Sequence, residues 1–269
     1  MTAAVEPVLV ETVEAGVVIV RLNRPETRNA MSTPMINALV AALDRIAADP
    51  TARAVILTGA GKGFCAGADL EMIKEADPAT ATIQDITAVL TRAQGIVSAL
   101  RRMPQPVIAA VNGVAAGGGL SLALACDVRV CAESAGFSAA FVRFGLSGCE
   151  LGISFTLPKV VGVTTAFEMM LTGRTVDSVE ATRLGLVLDA VPDPDLPERA
   201  LAIARAIAAN SPYGVRMTKE TMWRNLGARD LEDAMQTEMH RQLLAFRTRD
   251  HVEAVQAFMQ RRPPAFRNE

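Results

Sequence analysis

The sequence predicts an α/β fold over residues 1–195, followed by a helical region over residues 196–269. Half of the 269 residues are apolar and 21% are charged, which is enough to bury a sizeable core and is unlike a disordered chain. In the first part, short and continuously apolar runs alternate with helical periods, a pattern typical of a parallel sheet covered by helices. From about Phe155 onward, helical periods dominate.

The predicted strands are short runs rich in β-branched or small apolar residues. The first run, VVIVRL, ends at Asn23-Arg24-Pro25, a sequence typical of a loop. The runs are apolar throughout instead of alternating with polar residues, so we expect strands covered on both faces. The four predicted strands are Val17–Leu22, Ala54–Thr58, Val107–Val111 and Val128–Cys131.

The predicted helices follow the 3.6-residue period. Ser32 before Pro34 is a start signal for the first of them. In the first part the helices are Met35–Ala48, Ile83–Arg102 and Leu120–Ala125, and the last of these follows a turn over Asn112–Gly119. Downstream they are Phe155–Val161, Thr164–Leu171, Val179–Leu184, Leu196–Ala209, Val215–Leu226, Leu231–Phe246 and Val252–Arg261. The proline-rich segment at 190–196 predicts a hinge between the two regions.

Charge and cysteine usage narrow the class of protein. The net charge of −2 gives no general attraction to nucleic acid or to a membrane. The N-terminal segment has no long apolar run and no spanning helix is visible, so we expect a cytoplasmic protein. No CxxC pair occurs and both histidines lie far downstream, so no metal site is predicted. The cysteines, expected to be small buried residues in a reducing compartment, are Cys65, Cys126, Cys131 and Cys149.

Basic residues gather in the last thirty positions. They are Arg241, Arg247, Arg249, Arg261, Arg262 and Arg267. Charge patterning favours a solvated helical face, and an anion-binding rim is the alternative.

The first chemistry-bearing segment is the loop GAGKGFCAGADL, at Gly59–Leu70. Its glycines allow tight turns and let a ligand approach the bare backbone. It is not a phosphate-binding Walker loop, because no Lys-Ser or Lys-Thr follows its second glycine, and Phe64 replaces the third glycine of a dinucleotide fingerprint. Taken alone, the loop could equally be an ordinary strand-to-helix turn. A nicotinamide-dependent oxidoreductase would rest on this loop only.

The second segment is NGVAAGGGLSLALACD, at Asn112–Asp127, in which three consecutive glycines separate a buried strand from an apolar helix. Three glycines in a row are entropically costly. The N–H groups at the start of a helix are a natural site for negative charge. This loop therefore suits an oxygen atom that becomes anionic during a reaction.

Together the two loops resemble the crotonase, or enoyl-CoA hydratase/isomerase, superfamily. Further matching motifs are NRPETRNAMS at 23–32, PVIAAVNGVAAGGGL at 106–120, LTGRTVDSVEATRLGLV at 171–187 and EAVQAFMQRRPPAF at 253–266. The resemblance thus extends over nearly the whole chain. It implies a crotonase-like spiral of ββα units with a C-terminal helical trimerisation region, assembled as a homotrimer or homohexamer. The implied partner is an acyl-coenzyme A thioester, bound as substrate and not as a permanent cofactor.

The resemblance also implies roles for individual residues. The N–H groups of Ala68 and Gly118 would form the oxyanion hole that holds the thioester oxygen. Residues implied in coenzyme A binding are Arg28 for the phosphates, Ala66, Asp69 and Leu70 for the adenine and pantetheine, and Phe258 and Arg261 for the ligand of a neighbouring subunit.

The catalytic acids depart from the family pattern. Hydratases of this family use two glutamates, and their positions fall here on Ser121 and Phe141. Glu150 matches a position at which dienoyl-CoA isomerases and chlorobenzoyl-CoA dehalogenases carry an aspartate. Glu150 is the candidate acid/base, expected among Leu146, Cys149, Leu151, Ile153 and Phe155, unless it is a structural or capping residue. Ser121 would bind a water or a substrate hydroxyl, or would face its own helix backbone.

The leading hypothesis is an acyl-CoA enzyme that stabilises a thioester enolate and uses Glu150 to isomerise a double bond or to add water. A single acid suffices for a 1,3-proton shift, which favours isomerisation. The alternatives are an acyl-CoA-binding protein without turnover, and a thioester hydrolase or dehalogenase-like member of the same superfamily. No Ser-His-Asp arrangement lies near the loops, and the acyl group is not predicted.

Overall fold

The computed structural model of the chain describes residues 6–69, 72, 74, 77 and 79–269. The larger of its two sheets has the strand order β1-β2-β3-β5-β7-β10, and the smaller has the order β4-β6-β8-β9. In the larger sheet the strands are β1 (Val8–Glu14), β2 (Val17–Leu22), β3 (Ala54–Gly59), β5 (Val107–Val111), β7 (Val128–Ala132) and β10 (Ala190–Val191). In the smaller sheet they are β4 (Gly63–Cys65), β6 (Val114–Ala116), β8 (Gly136–Ser138) and β9 (Thr175–Asp177).

Ten α-helices occur in the described part of the chain. They are α1 (Thr33–Ala48), α2 (Ile83–Arg102), α3 (Gly118–Ala125), α4 (Ile153–Val161), α5 (Val163–Thr172), α6 (Ser178–Arg183), α7 (Leu196–Ala208), α8 (Pro212–Asn225), α9 (Leu231–Ala245) and α10 (Arg249–Gln260). These bounds confirm the predicted helices to within a few residues. The predicted start of α1 is also confirmed, because the Ser32 hydroxyl accepts a hydrogen bond from the Met35 N–H.

The two sheets are wound together as a spiral. Strands β3 and β4, β5 and β6, and β7 and β8 are consecutive pairs in the chain, and each pair places one strand in each sheet. Helix α2 follows the first pair and α3 follows the second. From β2 to β10 the neighbouring strands of the larger sheet are parallel, as the continuously apolar runs predicted. This topology confirms the expected ββα spiral.

Both faces of the larger sheet are covered. Helices α1, α2 and α3 pack on one face in the main hydrophobic core. On the other face, α7 packs through Leu196, Ala200 and Ala204 against strand residues such as Ile56 and Ile108. The first helix of the predicted C-terminal region therefore shares a core with the sheet.

Several short strands were not foreseen. The segment 112–119, predicted to be a turn, contains β6, and the first glycine loop contains β4. These two strands pair with each other in parallel, and β6 also pairs with β8. Strands of three residues are too short to show a period, so only long-range pairing reveals them. The segment predicted to be a hinge contains β10, which pairs with Cys131 and Ala132.

Three of the six C-terminal arginines form ion pairs at the surface. Arg241 pairs with Glu220, Arg249 with Glu269, and Arg262 with Glu253. These pairs favour the solvated-face interpretation over an anion-binding rim at the three positions. Across the described ranges, no helix is long and apolar enough to cross a bilayer.

Candidate active site

The two glycine loops begin side by side at the edge of the larger sheet where its parallel strands end, here called the carboxyl edge. Strands β3 and β5 are neighbours in register, so the loops that follow them emerge together. The Asn112 side chain ties them: its oxygen accepts from the Gly59 N–H at 3.0 Å, and its amide donates to the Gly61 carbonyl at 2.9 Å.

Glycine is required where the loops touch. A β-carbon on Gly119 would lie 2.8 Å from the carbonyl carbon of Cys65 and nearer still to its oxygen. Gly67 has a φ of +98°, and a β-carbon there would lie 2.9 Å from the Ala116 oxygen and 3.6 Å from the Gly118 nitrogen. The glycines that looked costly in the sequence therefore allow main-chain contact between the two loops.

The Gly118 N–H lies in the first turn of α3. Gly117 is the N-cap residue, with a φ of 52°, and its own N–H donates to the Ser138 carbonyl at 2.8 Å. The bond from the Ser121 N–H to the Gly117 carbonyl, 3.2 Å long, opens the helical hydrogen-bond ladder. The N–H groups before it, including that of Gly118, have no carbonyl one turn earlier to bind. They lie at the positive end of the helix dipole.

The orientation of the Ala68 N–H follows from an isolated parallel bridge between Met31 and Ala68. The Met31 N–H donates to the Gly67 carbonyl at 2.7 Å, and the Asp69 N–H donates to the Met31 carbonyl at 2.9 Å. In such a bridge, the residue between the two bonds directs its own N–H and carbonyl away from the partner segment. The Ala68 N–H therefore faces away from Met31. The residue before it, Gly67, lies next to Gly118.

Glu150 lies in the turn before α4 and is half-buried. Its Oε1 accepts from the Leu151 N–H at 3.2 Å, and a methyl of Leu151 lies 3.3 Å from the position a β-carbon on Gly118 would take. The expected apolar enclosure is only partly present. Leu151 and Ile153 are buried, whereas Leu146 is 62% exposed and Phe155 is 49% exposed. Cys149 is exposed too, in contrast to the other three cysteines.

Ser121 and Phe141 line the same region without supplying a carboxylate. The Ser121 hydroxyl is buried and donates to the carbonyl oxygens of Gly117 at 3.4 Å and of Glu150 at 3.5 Å. It thus faces backbone, the second of the two interpretations that the sequence left open. An edge carbon of the Phe141 ring lies 3.6 Å from the position of a β-carbon on Gly117. The wall beside the helix start is therefore apolar.

The residues implied in coenzyme A binding differ in their exposure and in their partners. Arg28 is exposed, has a φ of 52°, and its carbonyl accepts from the Ala66 N–H at 3.0 Å. The Asp69 side chain is buried and forms an ion pair with Arg24, so its carboxylate has a structural partner. Leu70 lies outside the described residues.

Arg24 and Asn29 were not predicted as site residues, although both stand within NRPETRNAMS. Besides its ion pair, Arg24 donates to the Ala30 carbonyl at 2.8 Å. The buried Asn29 amide donates to the carbonyls of Ala60 and Gly63, and its oxygen accepts from the Arg24 N–H. Both side chains hold the first glycine loop in place.

Phe258 and Arg261 stand at the end of α10. Phe258 is 84% exposed, and Arg261 is exposed with a φ of 53°. The tail that follows runs to Phe266, whose carbonyl accepts from Arg53 just before β3. It is thus anchored at the amino edge of the sheet, opposite the glycine loops.

A cavity of about 1180 Å³ also lies toward the amino edge, between the sheet and helices α7 and α8. Its wall includes the buried Lys219, whose ammonium contacts Asp127 at 3.0 Å and donates to the carbonyls of Leu100 and Gln105. Burial lowers the pKa of Lys219. Asp127 follows the C-terminal end of α3, so this network lies at the opposite end of that helix from the Gly118 N–H.

Comparisons with known proteins identify the family. The family model described as enoyl-CoA hydratase/isomerase matches residues 12–269. A probable enoyl-CoA hydratase of Mycobacterium tuberculosis is 42% identical, over 98% of this chain and 94% of that protein. The 1,2-epoxyphenylacetyl-CoA isomerase of Escherichia coli is 36% identical, over 94% of this chain and 96% of that protein.

A solved structure extends the comparison to the fold. The crystal structure of an enoyl-CoA hydratase from Bacillus anthracis superposes with a TM-score of 0.92 at 36% identity, covering 98% of this chain and 100% of that one. The chain therefore belongs to the enoyl-CoA hydratase/isomerase family, within the crotonase superfamily, and is an enzyme of that family.

Proposed function

We propose that this enzyme isomerises a carbon–carbon double bond in an enoyl-CoA thioester. The Ala68 and Gly118 N–H groups hold the thioester oxygen, and Glu150 moves the proton. The observation that carries the proposal is the main-chain contact between the two loops at Gly67 and Gly118, together with the absence of a helical partner for the Gly118 N–H.

The role of the two N–H groups follows from the charge that develops during the reaction. When a proton leaves the carbon chain of an enoyl thioester, the electron pair delocalises onto the thioester oxygen as an enolate. Two fixed N–H donors bind that oxygen more strongly as its negative charge grows. Each donor of this kind typically contributes about 10²–10³ in rate.

Isomerisation is favoured over hydration because Glu150 is the single carboxylate proposed to act on the substrate. The Glu150 carboxylate takes a proton from the carbon next to the double bond, and the resulting acid returns it to the far end of the enolate. The double bond shifts and no other reactant is consumed. Hydration would also require a positioned water, and Ser121 and Phe141 stand where hydratases carry their glutamates.

Coenzyme A enters as part of the substrate. We assign its phosphates to Arg28 and its adenine and pantetheine to the backbone of Ala66, Asp69 and Leu70. The Asp69 carboxylate is excluded from this role, since Arg24 occupies it.

Subunit contacts are assigned to residues 196–269, chiefly to the helices after α7, in a homotrimer or homohexamer. Large apolar side chains exposed on α9 and α10, among them Met239, Leu243 and Met259, support this assignment. In such an assembly Phe258 and Arg261 would approach a neighbouring subunit's ligand.

The test is a screen of 2-enoyl-, 3-enoyl- and dienoyl-CoA thioesters, followed by ultraviolet absorbance of the conjugated thioester. We expect Glu150→Gln to abolish turnover while acyl-CoA binding, measured by calorimetry, stays intact. Glu232→Gln, on the exposed surface of α9, is the matched control. Unchanged activity of Glu150→Gln on every thioester turned over by the wild type would contradict the role of Glu150 as the acid/base.

The same screen separates the alternatives. Binding without product from any thioester would identify an acyl-CoA-binding protein without turnover. Release of free coenzyme A thiol would identify a thioester hydrolase, and release of chloride from a chlorinated aroyl-CoA would identify a dehalogenase.

A further inference from the structure

We propose that Met31 is a positioning residue that sets the separation and angle of the two N–H donors, Ala68 and Gly118. This inference rests on the proposed oxyanion hole. Met31 contacts both donor segments at once, one through its main chain and the other through its side chain.

The main chain of Met31 orients the first donor. Its N–H and carbonyl bind the Gly67 carbonyl and the Asp69 N–H, at 2.7 Å and 2.9 Å. These two bonds flank Ala68 and fix the plane of the peptide that carries its N–H. A shift of Met31 would therefore rotate or translate the Ala68 donor.

The side chain of Met31 supports the second donor. Met31 is 3% exposed, and its sulfur lies 3.7 Å from the position that a β-carbon on Gly118 would take. The terminal methyl lies closer, inside the volume that such a β-carbon would need. The thioether thus occupies the space next to Gly118 that its missing side chain leaves, and Leu151 closes that space from another direction.

Met31 is itself held at both ends. On one side, Arg24 binds the Ala30 carbonyl and pairs with Asp69. On the other, Ser32 caps α1, which buries Met35 and Ile36 in the main core. A residue fixed in this way acts as a spacer between the two loops, and its size determines the gap that they leave for the thioester oxygen.

The consequence is a selective effect on the chemical step. Oxyanion donors act only when they stand within about 2.7–3.1 Å of the charged oxygen. The Met31 side chain lies against Gly118 in the second loop, whereas the coenzyme A contacts are assigned to Arg28 and to the first loop, and contacts of that kind bind ground state and transition state alike. A change in the donor gap should therefore lower kcat and leave KM nearly unchanged.

The experiment compares Met31→Ala with Met31→Leu, and uses Met103→Ala as a matched control. Met103 is a methionine of equal burial in the same core, at the end of α2 near the amino edge. We expect Met31→Ala to lower kcat by about 10-fold or more, a size typical of sub-ångström to ångström misplacement. Met31→Leu, which conserves volume, should stay within about threefold of the wild type. Met103→Ala should leave kcat unchanged.

A spectroscopic readout separates positioning from stability. An arylacryloyl-CoA absorbs at longer wavelength when its carbonyl is polarised by hydrogen-bond donors, so the red shift on binding reports the donors directly. We expect Met31→Ala to lose most of the wild-type red shift, and Met31→Leu and Met103→Ala to keep it. If Met31→Ala does not fold, Met31→Val, which removes less volume, takes its place.

The outcomes are distinguishable. A full red shift and wild-type kcat in Met31→Ala would overturn the role of Met31 and leave the oxyanion hole standing. No red shift in the wild type would overturn the oxyanion hole, and the role of Met31 with it. Equal losses of kcat in Met31→Ala and Met103→Ala, with the red shift intact, would show a structural role only.

Discussion

Gly119→Ala tests whether the two glycine loops must touch. Gly119 lies in the first turn of α3 and does not have a positive φ, so alanine is conformationally acceptable there. The obstacle is space. The new methyl would stand 2.8 Å from the Cys65 carbonyl carbon and 3.0 Å from its β-carbon, whereas ordinary contact begins near 3.4 Å. The carbonyl oxygen is closer still, and backbone cannot move aside as a flexible side chain can.

The magnitude follows from that overlap. To relieve it, α3 and β4 must separate by roughly 1 Å, which moves the Gly118 donor relative to Ala68, and misplacement of this size can cost about 10²-fold in rate. Overpacking of a tight core typically costs about 1–3 kcal/mol. Replacing glycine by alanine within a helix returns up to about 1 kcal/mol. We therefore expect a modest loss of stability and a large loss of kcat.

The assay measures turnover of the substrate found in the thioester screen, together with thermal unfolding. Gly95→Ala is the matched control: it lies within α2, and an added methyl would meet nothing within 4 Å. This control should be as active as the wild type and more stable by about 0.5–1 kcal/mol. A Gly119→Ala enzyme with kcat within about threefold of the wild type would refute the proposed dependence on loop contact.

Two further predictions concern buried charge and buried thiols. Lys219→Met should lower the free energy of unfolding by about 1–3 kcal/mol, because the Leu100 and Gln105 carbonyls lose their donor and Asp127 loses one of its charged partners. A loss below about 0.5 kcal/mol in denaturant titration, the range of surface substitutions, would contradict this. In the folded protein one thiol, that of Cys149, should react rapidly with 5,5′-dithiobis(2-nitrobenzoate) at pH 8, because it is the exposed cysteine of the four. Burial raises the pKa of Cys65 from 9.0 to about 12, so this thiol stays protonated in the folded state where an unfolded thiol ionises. The stabilisation that comes from the raised pKa of Cys65 is therefore complete below pH 9 and is lost as the pH rises toward 12. Denaturant midpoints that do not fall over this range would contradict the raised pKa.

Much of the fold was predicted from local patterns. The helical period and the Ser32 cap of α1 depend on residues within a few positions of one another, and the predicted helix bounds agree with the structure. The apolar runs likewise predicted the central strands β2, β3, β5 and β7. Strand β1 was missed because it is an edge strand whose apolar run, Val8–Val10, is only three residues long and is followed by exposed polar residues.

The candidate site was only partly predictable. The glycine-rich loops stood out because three adjacent glycines are costly unless the backbone needs the space. The surroundings of Glu150 were predicted less well: its neighbours along the chain are apolar, yet Leu146 and Phe155 face outward. Sequence neighbours share composition, whereas burial depends on which side of a turn each side chain takes.

The sequence by itself determined the family, the helical and strand order, and the two loops that carry the chemistry. Tertiary structure alone decided how those loops meet. The Arg24–Asp69 ion pair joins residues 45 positions apart, and the Met31–Ala68 bridge joins another distant pair. Such contacts leave no periodic trace in the sequence, because loop closure brings together residues whose spacing along the chain is arbitrary. The separation of two N–H groups is a property of that packing.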